Sequence, residues 1–106
     1  MMLVSPFNGK RARLLFRLDT GADITAIPRH LVNALGLLPY RKRYVLDYNS
    51  RTSLAESYLV HFVFAGKTFS NIEVITTDGL HALLGLDILN QLTITHDGPR
   101  KLLAIH

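Results

Sequence analysis

The stretch "RLDTGADITAIP", Arg17 to Pro28, puts one carboxylate where it could do chemistry. Asp19 follows an apolar run and enters a turn of small residues, Thr20-Gly21-Ala22. Gly21 has no Cβ, so its backbone can take a conformation denied to other residues, and another chain can come close. A carboxylate held there by backbone and hydroxyl hydrogen bonds has a fixed direction. The plainer reading is an Asx-turn, in which Asp19 only caps a bend. One Asp-Thr-Gly triplet does not separate the two.

The rest of the composition narrows the chemistry available. No cysteine is present among the 106 residues, which excludes a disulfide framework, a thiolate metal site and a Cys nucleophile. The five histidines, His30, His61, His81, His96 and His106, show no HxxxH or HxH spacing, so no metal and no cofactor are expected. The formal net charge of +4 is gathered in Lys10/Arg11/Arg13, Arg41/Lys42/Arg43 and Arg100/Lys101. These groups lack interleaved aromatics and read as solvated strand ends and loop tips, so nucleic acid is not an expected partner. A hydrophobic fraction of 48% against 19% charged residues describes a folded chain. No apolar run approaches the roughly 20 residues that span a bilayer. Pro6, Asn8 and Gly9 interrupt the apolar start, which does not read as a signal peptide. The expectation is a single domain over residues 1–106, cytoplasmic, whether whole or excised from a longer protein.

The elements that would hold Asp19 are mostly short strands. "ARLLFRL" (Ala12 to Leu18) reads as a strand feeding the turn, and "DITAI" (Asp23 to Ile27) as the strand leaving it. "PRHLVNALG" reads as a short helix opened by Pro28, with Leu31, Val32 and Leu35 as its apolar stripe and Gly36 as its stop. "RYVLDY" and "AESYLVHFVFA" form a hairpin through the polar tip "NSRTS", and "AGKT" turns into the strand "FSNIEVIT". "HALLGLDILNQL" passes from an apolar run through Gly85 into a short helix, for which Asp87 is the expected N-cap. "LTITH" and "KLLAIH" close the chain as a hairpin around "DGPR". Many short strands with two brief helices give a mostly β, small-barrel class.

A second motif changes the reading of Asp19. In "ALLGLDIL" (Ala82 to Leu89), two apolar residues and a glycine precede Asp-Ile-Leu opening a helix. DTGA and LLGLD, in this order, resemble the retropepsin-like aspartic proteases, the single-domain relatives of the retroviral proteases. The GLD form is most similar to bacterial and DNA-damage-inducible-type members. The resemblance covers most of the chain: N-terminal strand, DTGA turn, following helix, central hairpin as flap, second motif and helix. It implies a small closed acid-protease-like β-barrel with a flap hairpin and one or two short helices. It also implies an aspartic endopeptidase, a hydrolase acting on peptide or protein substrates.

Peptide hydrolysis by this route needs two carboxylates facing each other across a water. At about 3 Å both cannot stay ionised, so the pair shares one proton. This chain has one DTG, and Asp23, Asp47, Asp78, Asp87 and Asp97 lack that context. The resemblance therefore implies a homodimer with one Asp19 from each subunit. It casts Asp19, Thr20 and Gly21 as the catalytic set, with the Thr20 hydroxyl bonding across the subunits. Gly21 and Ala22 would line the substrate-binding floor, with the Gly21 carbonyl offered to the substrate backbone, and Asp23 would contact the substrate main chain. Leu83, Leu84 and Gly85 would back the turn, with Leu80, His81 and Leu83 near a side-chain pocket. Asp47, Tyr48, Asn49 and Ser50 would form the flap tip.

Three departures stand out. Leu86 occupies the place where retroviral members carry an arginine, so Asp23 must find another partner or stay solvated. The flap tip "DYNSRTS" contains no glycine, and Asn49 is the residue there best suited to a positive φ. Arg17 shares a strand face with Asp19 by alternation. A guanidinium within ~6 Å would favour the charged form of the dyad, moving activity to lower pH or selecting acidic substrates. The alternative reading is a non-catalytic dimeric peptide-binding module on the same fold, which the glycine-free flap favours and the intact Asp-Thr-Gly opposes.

Overall fold

The structure is a computed structural model that describes residues 1–46, 50–64, 66–91, 94–97 and 102–105, the last two segments by backbone alone. The first strand, β1 (Met2–Val4), pairs antiparallel with β2 (Arg11–Arg13), after a loop in which the Ser5 N–H donates to the Lys10 carbonyl at 2.8 Å. The run Ala12 to Leu18, expected as one strand, is two. Leu14 N–H bonds the Met1 carbonyl at 3.0 Å, while the Leu15 carbonyl accepts from Ala82 N–H at 3.0 Å. Adjacent residues thus serve opposite ends of the sheet, and the chain bends between them into β3 (Phe16–Leu18).

The strand expected over Asp23 to Ile27 starts later, as β4 (Ala26–Pro28). Pro28 does not open the helix. It ends β4 opposite Thr77, and the Arg29 N–H carries the pairing one residue further, to the Thr77 carbonyl at 2.9 Å. Only then does α1 (His30–Ala34) begin. Gly36 stops it as expected: at φ 62° it donates to Asn33 O (3.2 Å), while Leu37 N–H reaches back to Val32 O (2.9 Å). This left-handed closure satisfies carbonyls that the helix end leaves bare.

The centre of the fold is a meander of long strands: β5 (Pro39–Leu46), β6 (Thr52–Phe64) and β7 (Lys67–Thr77). Tyr44 faces Leu54 and Leu46 faces Thr52 across the β5–β6 hairpin, the expected flap. Asp47, Tyr48 and Asn49 of the expected tip lie outside the described residues. Ser50 is described and takes φ 58°. A bulge shifts the β6–β7 register between Val60 and Phe62, where Asn71 at φ 53° donates its N–H to His61 Nδ1 at 3.0 Å.

After β7 come β8 (Ala82–Leu84) and α2 (Leu86–Leu89). Gly85, not Asp87, holds the N-cap position of α2. Asp87 is in the first turn, with its carboxylate engaged elsewhere. β9 (Ile94–Asp97) and β10 (Leu102–Ile105) pair antiparallel as the expected closing hairpin.

The eight-stranded sheet runs β2-β1-β6-β7-β4-β8-β3, with β5 attached to β6, and curls into a half-barrel. The expected mostly β class with two short helices is what the structure has. Its core gathers Leu3, Ile27, Leu31, Leu35, Val60, Phe62, Val74, Leu84 and Ile88, all buried. Each such side chain contributes about 1.5–3 kcal/mol by leaving water. Val60 and Phe62 show the period-two pattern of a half-buried strand, and Phe16 meets Phe64 edge-on at 4.7 Å. Among the described residues no helix is long and apolar enough to cross a membrane.

Candidate active site

Asp19 leaves β3 with its backbone already committed. Its N–H donates to the Leu84 carbonyl at 2.9 Å, and its carbonyl accepts from Ala22 N–H at 3.1 Å. Its Oδ1 accepts from Gly21 N–H at 3.1 Å. The Asx-turn is therefore present, and it aims the carboxylate without saturating it. Oδ2 accepts no hydrogen bond from any described residue. Asp19 opens onto a cleft of about 830 Å³, lined also by Gly21, Ala22, Asp23, Ile24, Tyr44 and Leu46.

Gly21 behaves differently from expectation. Its φ lies outside the left-handed region, and an added Cβ would meet only Asp19 Oδ1 at 3.4 Å, an ordinary contact. Among the described residues nothing requires glycine there. Thr20 is likewise exposed, and its hydroxyl bonds no described residue.

The glycine that packing does require is Gly85. A Cβ there would lie 2.8 Å from the Ile24 carbonyl carbon and 2.9 Å from the Ala22 oxygen. The chain leaving the Asp19 turn passes directly over it. Three groups fasten this crossing. Leu86 N–H donates to the Ala22 carbonyl at 2.8 Å. The buried Thr25 hydroxyl accepts from Gly85 N–H at 3.1 Å and donates to Asp87 Oδ1 at 2.8 Å. The Asp87 carboxylate also accepts Thr25 N–H at 3.1 Å and Ile88 N–H at 2.8 Å. A buried hydroxyl with both a donor and an acceptor partner avoids the desolvation penalty of an unpaired one. Thr25 and Asp87 are thus the residues that the motif reading missed or misassigned, because their contact spans 62 positions.

The far wall of the cleft is the root of the flap hairpin. Glu73 on β7 accepts two bonds from Arg41 on β5: Nε to Oε2 at 2.7 Å and Nη2 to Oε1 at 2.8 Å. Arg43 Nη1 adds a third, to Oε1 at 3.0 Å. The buried Ser57 hydroxyl on β6 lies within reach of both Glu73 Oε2 and the Arg41 carbonyl, and its single hydrogen serves the carboxylate. The Arg41 hydrogen bond, aided by Ser57 and the two positive charges, holds the Glu73 carboxyl at about 2, against an ordinary value of 4.5. Three strands are tied at one carboxylate. Nothing in the spacing of Arg41, Arg43, Ser57 and Glu73 announces this, beyond the alternation that puts Arg41 and Arg43 on one face.

Of the residues singled out from sequence, Asp19, Gly21, Ala22, Asp23 and Leu83 line one cleft. Thr20, Arg17, Ser50, Leu80 and His81 do not line it. Arg17 is exposed, stands opposite Leu83 in the β3–β8 register, and makes no ion pair with a described residue. Asp23 is exposed without a hydrogen-bonding or ionic partner among the described residues, so it stays solvated, as the loss of the arginine at Leu86 implies. Among the described residues no cluster of three His, Asp or Glu side chains could hold a metal ion.

The family described as "gag-polyprotein putative aspartyl protease" matches residues 5–91. The chain is similar to the prototype foamy virus protease-reverse transcriptase, at 25% identity and a TM-score of 0.59 over 87% of its length. It spans 11% of that much longer polypeptide. It is also similar in fold to a retropepsin-like aspartic protease from Rickettsia conorii: 21% identity, TM-score 0.57, covering 99% of this chain and 88% of that one. No curated protein sequence matches.

Two outcomes test the site's scaffold. Thr25→Val keeps the shape but strands the buried Gly85 N–H, and it should lower unfolding stability by about 1–3 kcal/mol at fixed protein concentration. Unchanged stability would mean that the crossing is held elsewhere. Glu73 has a depressed folded-state pKa, so its contribution is full above about pH 5 and is lost as pH falls toward 2. With Arg41 exposed and screened, that contribution should amount to no more than about 1 kcal/mol. Acid unfolding curves of Glu73→Gln should lack that part of the slope.

Proposed function

The chain belongs to the gag-polyprotein aspartyl protease family, and from that premise we propose that it is an aspartic endopeptidase working as a homodimer. Each copy would form one domain and contribute one Asp19. The observation that carries this reading is the state of that carboxylate. One oxygen is fixed by Gly21 N–H, the other is without a partner among the described residues, and the group opens onto the cleft. One protomer holds one such group, so the dyad needs a second copy. The Thr20 hydroxyl, which bonds no described residue, and Gly21, where an added Cβ would meet only Asp19 Oδ1, suit a neighbour seated against the turn.

In the dimer, the two carboxylates share a proton. The ionised one takes a proton from a water held between them, and the oxygen attacks the scissile carbonyl carbon. The protonated one hydrogen-bonds the carbonyl oxygen as it gains charge. Collapse of the tetrahedral adduct breaks the C–N bond, and the leaving nitrogen takes the proton that the first carboxylate collected. Ala22 and Asp23, along the cleft floor, would bind the peptide main chain, with Leu83 beneath. The β5–β6 hairpin would cover it.

A peptide-library digest across mildly acidic and neutral pH tests the proposal. The parent should cleave with a bell-shaped pH profile, since both the doubly protonated and doubly ionised pairs are idle. Asp19→Asn should lose about 10³-fold or more in rate while keeping the fold. Cleavage by both proteins, or by neither, would favour the non-catalytic peptide-binding module.

A further inference from the structure

The Arg41, Arg43, Ser57 and Glu73 cluster is not electrically balanced. Arg41 meets the Glu73 carboxylate with two donors, Nε and Nη2, in the side-by-side geometry that suits a guanidinium and a carboxylate. That pair is neutral. Ser57 fills a further acceptor site on the same carboxylate. Arg43 adds a single bond, from Nη1 to an oxygen already used by Arg41. One positive charge is left over, and it resides largely on Arg43.

Three observations give that charge a role. Arg43 lines the same cleft as Asp19, and it is the one Lys or Arg among the described residues that does so. Its side chain is 39% exposed, so it is partly desolvated but still accessible. Its remaining N–H donors bond no described residue, whereas the tie to Glu73 holds the group in place. A guanidinium with its stem fixed and its donors free is preorganised for a planar, two-oxygen acceptor. Elsewhere the cleft carries Asp19, Asp23 and Asp87, which repel a carboxylate from every position but this wall.

We infer that Arg43 is a specificity-determining residue that receives a substrate carboxylate, supplied by a glutamate or aspartate side chain near the scissile bond. This deepens the protease reading and rests on it. Arg17, the residue that strand alternation nominates for this role, stands outside the cleft of its own protomer. A peptide's own C-terminal carboxylate has the same chemistry, and amidated peptides distinguish the two.

The test uses amidated peptides that differ only by Glu or Gln at each position around a cleaved bond, compared within each variant so that losses of fold or dimer cancel. For the parent, kcat/KM should favour Glu at one position by about tenfold. The preference should fall to near unity in Arg43→Gln, survive in part in Arg43→Lys, and persist in Arg17→Gln. It should also vanish as the substrate glutamate protonates, since the guanidinium stays charged. No preference in the parent, or an unchanged one in Arg43→Gln, overturns the inference. So does preference only for a free C-terminus, which assigns Arg43 to terminal carboxylates. If no peptide is cleaved, the protease reading fails separately. Fluorescence anisotropy with Asp19→Asn then compares Glu and Gln peptides directly, and equal affinities or no binding overturn the Arg43 assignment as well.

Discussion

The crossing of residues 22–24 over Gly85 is the constraint around which the fold is arranged. Two backbones pass closer than any side chain allows, and Thr25 with Asp87 locks them there. Asp19 sits three residues before the crossing, and its N–H is fixed to Leu84, one residue before Gly85. The backbone of Asp19 is therefore tied to β8, while its carboxylate is held only by Gly21 N–H among the described residues. Such a turn is rigid toward its own core and open toward a neighbour. That asymmetry is what the proposed homodimer asks of Asp19: a fixed group whose outer side is left open.

Charge is distributed to match. The floor of the cleft is acidic through Asp19, Asp23 and Asp87, while its wall carries the single excess charge of Arg43. The Glu73 cluster that leaves this excess also joins β5, β6 and β7 at the base of the flap. Beyond it, the hairpin exposes Tyr44, Leu46 and Leu54, apolar side chains with solvent on one side. Of these, Tyr44 and Leu46 line the cleft.

Much of this is legible in the chain because it is local. Alternation marks the long central strands, Gly36 marks the end of α1, and the DTGA and LLGLD pair marks the family. The errors occur where distant groups compete for a residue. Pro28 suits a helix start, but pairing with β7 claims it for β4. Asp87 suits an N-cap, but Thr25 claims its carboxylate. The apolar run Ala12 to Leu18 reads as one strand because no local signal says that Leu14 and Leu15 face different partners. Gly21 and Gly85 illustrate the same limit: both are motif glycines, yet packing inside the protomer demands only the second. The Glu73 cluster was invisible for the same reason, since it joins three strands at one oxygen pair.

If one active site is shared by two copies of Asp19, mixing subunits must show it in the activity of the mixture. Parent and Asp19→Asn protein, combined in varying ratio and allowed to exchange subunits, should lose activity with the square of the parent fraction. An equimolar mixture then retains roughly a quarter of the parent activity, because only parent–parent dimers carry both carboxylates. Activity that instead falls in direct proportion to the parent fraction, with about half retained, would mean that each chain works with its own site and that no dyad is shared.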